Sequence, residues 1–359
     1  MMRVLIAAGG TGGHIYPGIA VAKEIMRRDE KSEVRFVGTA RGLEQKLVPD
    51  AGFKLSLIES AGLKNVGLAG KLRGLWLLPK SFTAARRLIK EFRPDVVVGA
   101  GGYVTGSVLL TAALMRVPTL VMDSNALPGF TNRMLARFVD RAAVTFEEAL
   151  PFFRGKGVLT GNPVRREFFD IPAKSRDATR FSLLVFGGSQ GARGINNAMV
   201  AALKQLAEYR SVLNITHQTG EHDFETVRAG YDEAGWRDAD VRRYINDMVS
   251  EFAGADLIVS RAGATTCAEL SAAGKAAIMI PLPTAADDHQ RKNAEALQAA
   301  GAARMILQKD LTGEVLASEI AALLKEPQRV TRMEEASRQL ARGDAAASTV
   351  DLMEKVVGS

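Results

Sequence analysis

Apolar residues along this chain come in short unbroken runs and do not alternate with polar ones. The run at 4–8 ends in Gly9-Gly10-Thr11-Gly12-Gly13, and Pro17 then opens a stretch with Ile19, Ala22, Ile25 and Met26 at helical spacing. Runs at 34–37, 54–58, 96–99, 119–122 and 142–145 read as buried strands, with helical segments near 43–50, 80–92, 105–116 and 128–137 between them. The pattern restarts at 181–186, which leads into Gly187-Gly188-Ser189-Gln190-Gly191-Ala192 and a helix through about residue 208. Strands are predicted again at 213–216, 241–245, 257–260, 276–280 and 303–306. Unbroken apolar strands separated by helices mark parallel sheets covered on both faces. The expected fold is α/β, two Rossmann-like doubly wound halves, each led by a strand and a glycine loop. Gly161-Asn162-Pro163 and the charged stretch through residue 180 mark the boundary, giving domains over 1–162 and 163–339. The last helices, from about residue 331, are expected to cross back, with 340–359 packing on the first domain.

A length of 359 residues suits two domains, and 47% hydrophobic with 24% charged residues is an ordinary globular composition. One cysteine, Cys267, excludes a disulfide framework and a clustered-thiolate zinc site, and fits a reducing compartment. The apolar run at the N-terminus is too short for a secretory signal, and no stretch approaches the roughly 18 apolar residues of a membrane-spanning helix. The net charge of +7 divides unevenly. Residues 1–161 carry 23 basic and 13 acidic side chains, a balance of +10, whereas residues 162–359 carry 24 and 27, a balance of −3. The first half therefore calls for an anionic partner: nucleic acid, phospholipid or a phosphorylated ligand.

Neither leading glycine loop has the dinucleotide spacing, and the second strand ends at Val37-Gly38-Thr39 with no acid for a ribose, which disfavours hydride transfer. No Walker lysine follows either loop. A third loop, Gly99-Ala100-Gly101-Gly102-Tyr103, follows the strand at 96–98. Glycines let backbone N–H groups approach a phosphate, and the helix N-terminus beyond favours negative charge. Three such loops suit two phosphorylated ligands.

Five motifs then stand in order: Gly9-Gly10-Thr11-Gly12-Gly13-His14 with Pro17-Gly18; Gly161-Asn162-Pro163-Val164-Arg165; Gly187-Gly188-Ser189-Gln190-Gly191-Ala192; Arg261-Ala262-Gly263-Ala264 with Glu269; and Asp288-His289-Gln290 with Asn293-Ala294. The chain resembles the bacterial peptidoglycan glycosyltransferases that add N-acetylglucosamine to undecaprenyl-pyrophosphoryl-muramyl-pentapeptide. The resemblance runs to about residue 306. It implies a GT-B fold, two doubly wound domains facing across a cleft, and a hexosyltransferase with a UDP-N-acetylglucosamine donor and a polyprenyl-pyrophosphate-linked muramyl acceptor. Inversion at the anomeric carbon, a peripheral place on the cytoplasmic face of the membrane, and cell-wall synthesis or division proteins as partners are implied with it. No cofactor is implied. The alternatives are a related GT-B transferase with a different lipid or small-molecule acceptor, a nucleotide-sugar epimerase, and a membrane-bound scaffold that keeps the pocket as a relic.

Carried over residue by residue, the donor contacts are Thr11, Gly12, Gly13, Asn125, Arg165, Ser189, Ile245, Ala264, Thr265, Thr266, Cys267, Ala268, Glu269, Gln290 and Asn293. Ser189 and its neighbouring N–H groups suit the diphosphate, Arg165 the charge on departing UDP, and Ile245 the uracil edge. Glu269 has the acceptor sites for two ribose hydroxyls, and Gln290 and Asn293 share a helix face toward the sugar. Read singly, Glu269 can instead pair with Arg261, Ser189 can cap a helix, and Gln290 can lie on a solvated face. Cys267 reads as a small buried residue and not a reactive thiol. Asp238-Ala239-Asp240 spells the metal-binding pattern of other glycosyltransferases but falls in a polar turn, and no metal ligand is expected.

His14, at the end of the first loop, is the first choice for the base that takes the acceptor proton, and Asp123 the second. The family usually reads His-Glu-Gln-Asn where this chain has Met122-Asp123-Ser124-Asn125, so Asp123 is one methylene shorter than the family's acid. Ser107 replaces a common proline, with a local effect on the third loop. The acceptor diphosphate is assigned to Gly10, Gly12, Gly13, Gly101, Gly102 and Tyr103. The stretch 62–93 interleaves cations with apolar residues, and Leu68, Lys71, Leu72, Arg73, Leu75, Trp76, Leu77, Lys80 and Phe82 are expected to touch an anionic membrane. Its apolar residues can also be core and its cations a solvated face. No aromatic base-stacking platform accompanies the charge, so nucleic acid is not an expected partner.

Overall fold

The computed structural model describes residues 1–10, 12–40, 42–59, 68–174, 180–285 and 288–358; for 68–78 and Tyr103 the backbone alone is described. The chain divides into two units, the first comprising Met1–Arg165 with Arg342–Ser359 and the second Arg166–Ala341.

The first unit opens with β1 (Arg3–Ala8), α1 (Gly12–Arg28), β2 (Glu33–Gly38), α2 (Glu44–Asp50), β3 (Lys54–Leu57) and α3 (Leu68–Phe92). It continues through β4 (Val96–Gly101), α4 (Tyr103–Leu114), β5 (Thr119–Asp123), α5 (Phe130–Leu135), β6 (Arg141–Val144) and β7 (Gly157–Leu159). All strands pair in parallel in the order β3-β2-β1-β4-β5-β6-β7. Successive residues of β1 face opposite sides of the sheet. Leu5 and Ala7 join one core with Val97, Val121 and the helical residues Ile89, Phe92 and Leu109. Val4, Ile6 and Ala8 join the other, with Ile15, Ile19 and Ile25 of α1. Burial on both faces is why these strands read as unbroken apolar runs.

The second unit runs β8 (Phe181–Phe186), α6 (Arg193–Ala202), β9 (Leu213–Gln218), α7 (Phe224–Glu233), β10 (Asp240–Arg242), α8 (Met248–Gly254) and β11 (Leu257–Ser260). It ends with α9 (Ala264–Ala273), β12 (Ala277–Met279), α10 (His289–Ala299), β13 (Ala303–Met305), α11 (Gly313–Lys325) and α12 (Pro327–Gln339). Its parallel sheet has the order β10-β9-β8-β11-β12-β13, so both sheets reverse direction between their first and fourth strands. The final helix, α13 (Ala345–Val357), belongs to the first unit, where Val350 and Met353 complete the core under α1.

Four local expectations are corrected. Helix α1 begins at Gly12, ahead of Pro17, which lies inside it. The strand expected over 241–245 is β10, which ends at Arg242; beyond it the Ile245 N–H donates to the Gln218 side chain and not to a strand. Helix α6 stops at Ala202, short of residue 208. Helix α12 stays with the second unit, so the return begins at Arg342. Strand β7 has three residues, too few for a periodicity signal. Among the described residues no helix is long and apolar enough to cross a membrane.

Candidate active site

In the first unit the loops after β1 and β4 leave neighbouring strands at the point where strand order reverses, and they press on each other. Gly9 N donates to Gly101 O at 3.2 Å. A Cβ on Gly102, where φ is +89°, would fall 2.3 Å from Gly9 O, so no larger residue fits. His14 lies half-buried in the first turn of α1 with Nδ1 3.2 Å from Gly9 O. A carbonyl only accepts, so Nδ1 carries the proton, and in the neutral ring Nε2 holds the lone pair. The imidazole rests on Gly101, where φ is +119° and a Cβ would sit 2.4 Å from ring Cδ2. Thr105 steadies the loop from α4, donating to Gly101 O at 2.9 Å and accepting from Gly101 N at 3.2 Å.

The Gly10 N–H, expected at a diphosphate, donates to Glu44 Oε2 at 2.9 Å. Glu44, the first residue of α2, is fully buried, and its Oε1 accepts from Thr39 N at 2.8 Å and Thr39 Oγ1 at 2.9 Å. Cβ atoms on Gly9, Gly38 and Gly42 would each lie within 2.8 Å of this side chain. Burial pushes the carboxyl up, but the N–H groups of Thr39, Glu44 itself and Gly10 outweigh it and hold the group below the usual carboxylate range. Sequence reasoning missed Glu44. Its signals were an acid opening a helix and glycines at the two strand ends that surround it.

Asp123 ends β5 and is buried. Its Oδ1 accepts from Asn125 N at 3.0 Å, and its Oδ2 from Asn132 Nδ2 at 2.8 Å and Gly129 N at 3.1 Å. Burial raises its pKa against those three donors. The carboxylate ties down the turn that carries Asn125, which is half-buried. Ser124 donates to Asn162 Oδ1 at 3.0 Å. Gly12 and Gly13 open α1, Tyr103 opens α4, Arg165 is exposed at the end of the unit, and Thr11 lies outside the described residues.

In the second unit the loop between β8 and α6 exposes Gly188, Ser189 and Gln190. Gly191 and Gly220, with φ +74° and +79°, let it close on Thr219, since a Cβ on Gly191 would fall 1.8 Å from Thr219 O. Gln218, buried at the end of β9, donates to Gly188 O at 2.9 Å and accepts from Ile245 N at 2.7 Å. One side chain thus couples the glycine loop to Ile245, and sequence reasoning did not find it. Behind it, buried His217 contacts Tyr231 OH at 3.0 Å and Asn196 Oδ1 at 3.1 Å, and burial lowers its pKa to about 3, so the ring is neutral.

The loop after β11 leads through Gly263 into α9, which places Ala264, Thr265, Thr266, Ala268 and half-buried Glu269 along its first turns. Thr265 Oγ1 is buried with no hydrogen-bond partner among the described residues. Cys267 is buried, which pushes its thiol up to about 12. Arg261 donates to Ile280 O and Pro281 O, each at 3.1 Å, and to Gln308 Oε1 at 2.7 Å; these bonds hold the strand end. Asn293 of α10 is fully buried and donates to Ala262 O at 3.1 Å, while Gln290 accepts from Leu282 N at 3.0 Å. Asp240 is engaged by Arg242 on edge strand β10.

Of the residues expected at a membrane, Lys80 is exposed and Phe82 half-buried; the side chains of Leu68, Lys71, Leu72, Arg73, Leu75, Trp76 and Leu77 lie outside the described residues. Further along α3, Ala85, Leu88, Ile89 and Phe92 are core, with Arg86, Arg87 and Lys90 exposed. Large apolar side chains that sequence reasoning missed are exposed on and after α5: Phe130 at 54%, Met134 at 46% and Phe138 at 43%. Arg137 lies 5.4 Å over the Phe138 ring.

Residues 4–144 match the glycosyltransferase family 28 N-terminal domain, and residues 182–351 match its C-terminal domain. The chain is 49% identical over 358 residues to a UDP-N-acetylglucosamine–N-acetylmuramyl-(pentapeptide) pyrophosphoryl-undecaprenol N-acetylglucosamine transferase from an Anaeromyxobacter species, covering 99% of this chain and 94% of that one. The Geobacter sulfurreducens transferase of the same name is 47% identical, with 98% of each chain covered. The crystal structure of MurG from Acinetobacter baumannii superposes with a TM-score of 0.81 at 33% identity, over 99% of this chain and 100% of that one. A UDP-N-acetylglucosamine 2-epimerase from Neisseria meningitidis shares the fold at 14% identity, with a TM-score of 0.72 and 99% and 100% coverage. Glycine loops at both strand-order reversals and kinship over nearly its whole length agree: the chain belongs to the family 28 glycosyltransferases, among the N-acetylglucosamine transferases of pyrophosphoryl-undecaprenol-linked N-acetylmuramyl-(pentapeptide).

Proposed function

We propose that the protein transfers N-acetylglucosamine from UDP-N-acetylglucosamine to the 4-hydroxyl of the muramyl sugar of undecaprenyl-pyrophosphoryl-muramyl-pentapeptide, with inversion at the anomeric carbon. The observation that carries this reading is kinship at 49% identity over 99% of the chain with transferases named for that reaction. The acceptor oxygen forms a bond to the anomeric carbon as the bond from that carbon to the diphosphate breaks, and UDP leaves with the electron pair. His14 is the base: with Nδ1–H on Gly9 O, the ring offers Nε2 to the hydroxyl proton. Asp123 is assigned to shaping the turn bearing Asn125, since it is buried and accepts from Asn125 N and Gly129 N and from the Asn132 side chain of α5. The N–H groups of Gly12 and Gly13 at the start of α1, with Gly102 and Tyr103, receive the acceptor diphosphate, while the Gly101 N–H is taken by Thr105 and holds the loop. Gly10 supports that loop through Glu44.

On the donor side, Ser189 and its loop hold the UDP diphosphate, Ile245 the uracil, Glu269 the ribose hydroxyls, and Gln290 the sugar. Thr265, whose buried hydroxyl has no hydrogen-bond partner among the described residues, supplies a further donor at the α9 N-terminus. Arg165 offsets charge on departing UDP. The protein works at the surface of an anionic membrane. The +10 balance of residues 1–161 supports this, as do Phe130, Met134 and Phe138 beside Arg133 and Arg137.

Purified protein should release UDP from UDP-N-acetylglucosamine only when a polyprenyl-pyrophosphate-linked muramyl acceptor is present. His14→Ala should lower turnover by about 10²- to 10⁴-fold, the range for loss of a positioned base. UDP release that is equally fast with diacylglycerol would replace the acceptor assignment, and full turnover in His14→Ala would remove the base assignment alone.

A further inference from the structure

The peptide group joining Gly9 to Gly10 is hydrogen-bonded at both ends. Its carbonyl accepts from His14 Nδ1 at 3.2 Å, and its N–H donates to Glu44 Oε2 at 2.9 Å. We propose that Glu44 is a positioning residue for His14, acting through this single peptide to hold the imidazole with its proton on Nδ1 and its lone pair on Nε2. The inference rests on the reading of His14 as the base.

An anion that accepts from a peptide N–H polarises the amide and moves electron density onto its carbonyl oxygen, so the next bond in the chain strengthens. Here that next bond is the one from the His14 ring. A carboxylate commonly orients a catalytic histidine by accepting from Nδ1 directly. In this chain the same task is done with one amide inserted between carboxylate and ring. The geometry around Glu44 suits a fixed partner. Thr39 donates twice to Oε1, which leaves Oε2 directed at Gly10. The missing side chains of Gly9, Gly38 and Gly42 make the room it occupies, and the group is fully buried. At the other end of the chain Gly101 lies against the ring, so a shift of the Gly9 carbonyl is felt at once by the imidazole.

A plain staple between two loops would make the same contacts, so the test must read the ring itself. Nitrogen NMR of the imidazole, with the His14 signals assigned by their loss in His14→Gln, reports which nitrogen carries the proton. The wild-type protein should show the Nδ1–H form. Glu44→Gln removes the charge and should give a mixture of the two forms. Its kcat should fall by about 10- to 100-fold, the loss seen when the outer partner of an oriented histidine is removed. KM for UDP-N-acetylglucosamine should stay within about twofold, because ground-state donor binding is untouched. Glu44→Asp keeps the charge but withdraws it by one methylene, and should fall between the two in both readouts. If Glu44→Gln does not fold, the ring spectrum of Glu44→Asp decides the matter in the same way. A wild-type ring spectrum in either variant alongside reduced kcat, or unchanged kcat in Glu44→Gln, overturns the inference. Undiminished turnover in His14→Ala would instead defeat the base assignment on which it rests.

Discussion

Gln218 shows how a buried side chain can hold two loops of the candidate site together. Its amide nitrogen donates to Gly188 O and its amide oxygen accepts from Ile245 N, so the loop proposed for the diphosphate and the residue proposed for the uracil keep their spacing through one buried group. Gln218→Ala leaves the N–H of buried Ile245 unpaired, a loss of about 1–3 kcal/mol, and releases the carbonyl of exposed Gly188. It should raise KM for UDP-N-acetylglucosamine roughly tenfold with a smaller effect on kcat. Steady-state kinetics check this, and a wild-type KM would show that the two loops keep their places without it. His14, Ser189 and Glu269 could be proposed from the sequence because each sits inside a local motif whose glycines announce it. Gln218 and Glu44 could not, because their partners lie 27 and 34 residues away along the chain and meet only through strand pairing. For Asp123 the motif gives position, while packing adds the donors that reach its oxygens from Asn125, Gly129 and Asn132.

At the scale of elements, the helix that closes the first unit shows which force dominates. Arg28 of α1 donates to Asp351 at 2.6 Å, to Glu354 at 3.4 Å and to Ala347 O at 2.9 Å, all on α13. Asp351 and Glu354 are more than half exposed, and exposed pairs contribute about 0–1 kcal/mol. Met353 and Val350 are fully buried against α1, and truncating such a residue costs about 2–5 kcal/mol. The apolar face therefore holds the helix, and the arginine sets its register. Met353→Ala should destabilise the first unit several times more than Arg28→Ala in urea unfolding, with amide exchange rising first along α13. Equal effects would mean that the ion pairs carry the docking. Glu24 is held to about 2 from 4.5, by Arg27 foremost, against burial and with help from Arg28, so its contribution is present above pH 4.5 and fades as the pH falls toward 2. Unbroken apolar strands made this layering readable in advance. Element ends were less so, as β10 and α6 show, because they are set by what the chain meets next and not by its own period.

For the whole molecule the informative quantity is where charge lies. The first unit holds 26 basic and 16 acidic side chains, a balance of +10, and the second holds 21 and 24, a balance of −3. A balance of that size on one unit supports the proposed attraction to an anionic surface, where each cation near the headgroups would contribute about 1 kcal/mol. Attraction alone is screened within roughly 8–10 Å at moderate salt, so lasting contact needs apolar insertion as well. Phe130, Met134 and Phe138, spaced four apart beside Arg133 and Arg137, meet that need on described side chains. The protein should therefore sediment with vesicles containing phosphatidylglycerol and not with phosphatidylcholine alone, and raising salt from ~0.1 M to ~0.5 M should release most of it. Replacing Phe130 and Met134 together by serine should weaken binding at low salt while leaving its salt dependence in place. Replacing Arg133 and Arg137 by glutamine should flatten that dependence. Binding to neutral vesicles, unaffected by salt, would mean that the charge imbalance serves the pyrophosphate of the acceptor and not the membrane around it.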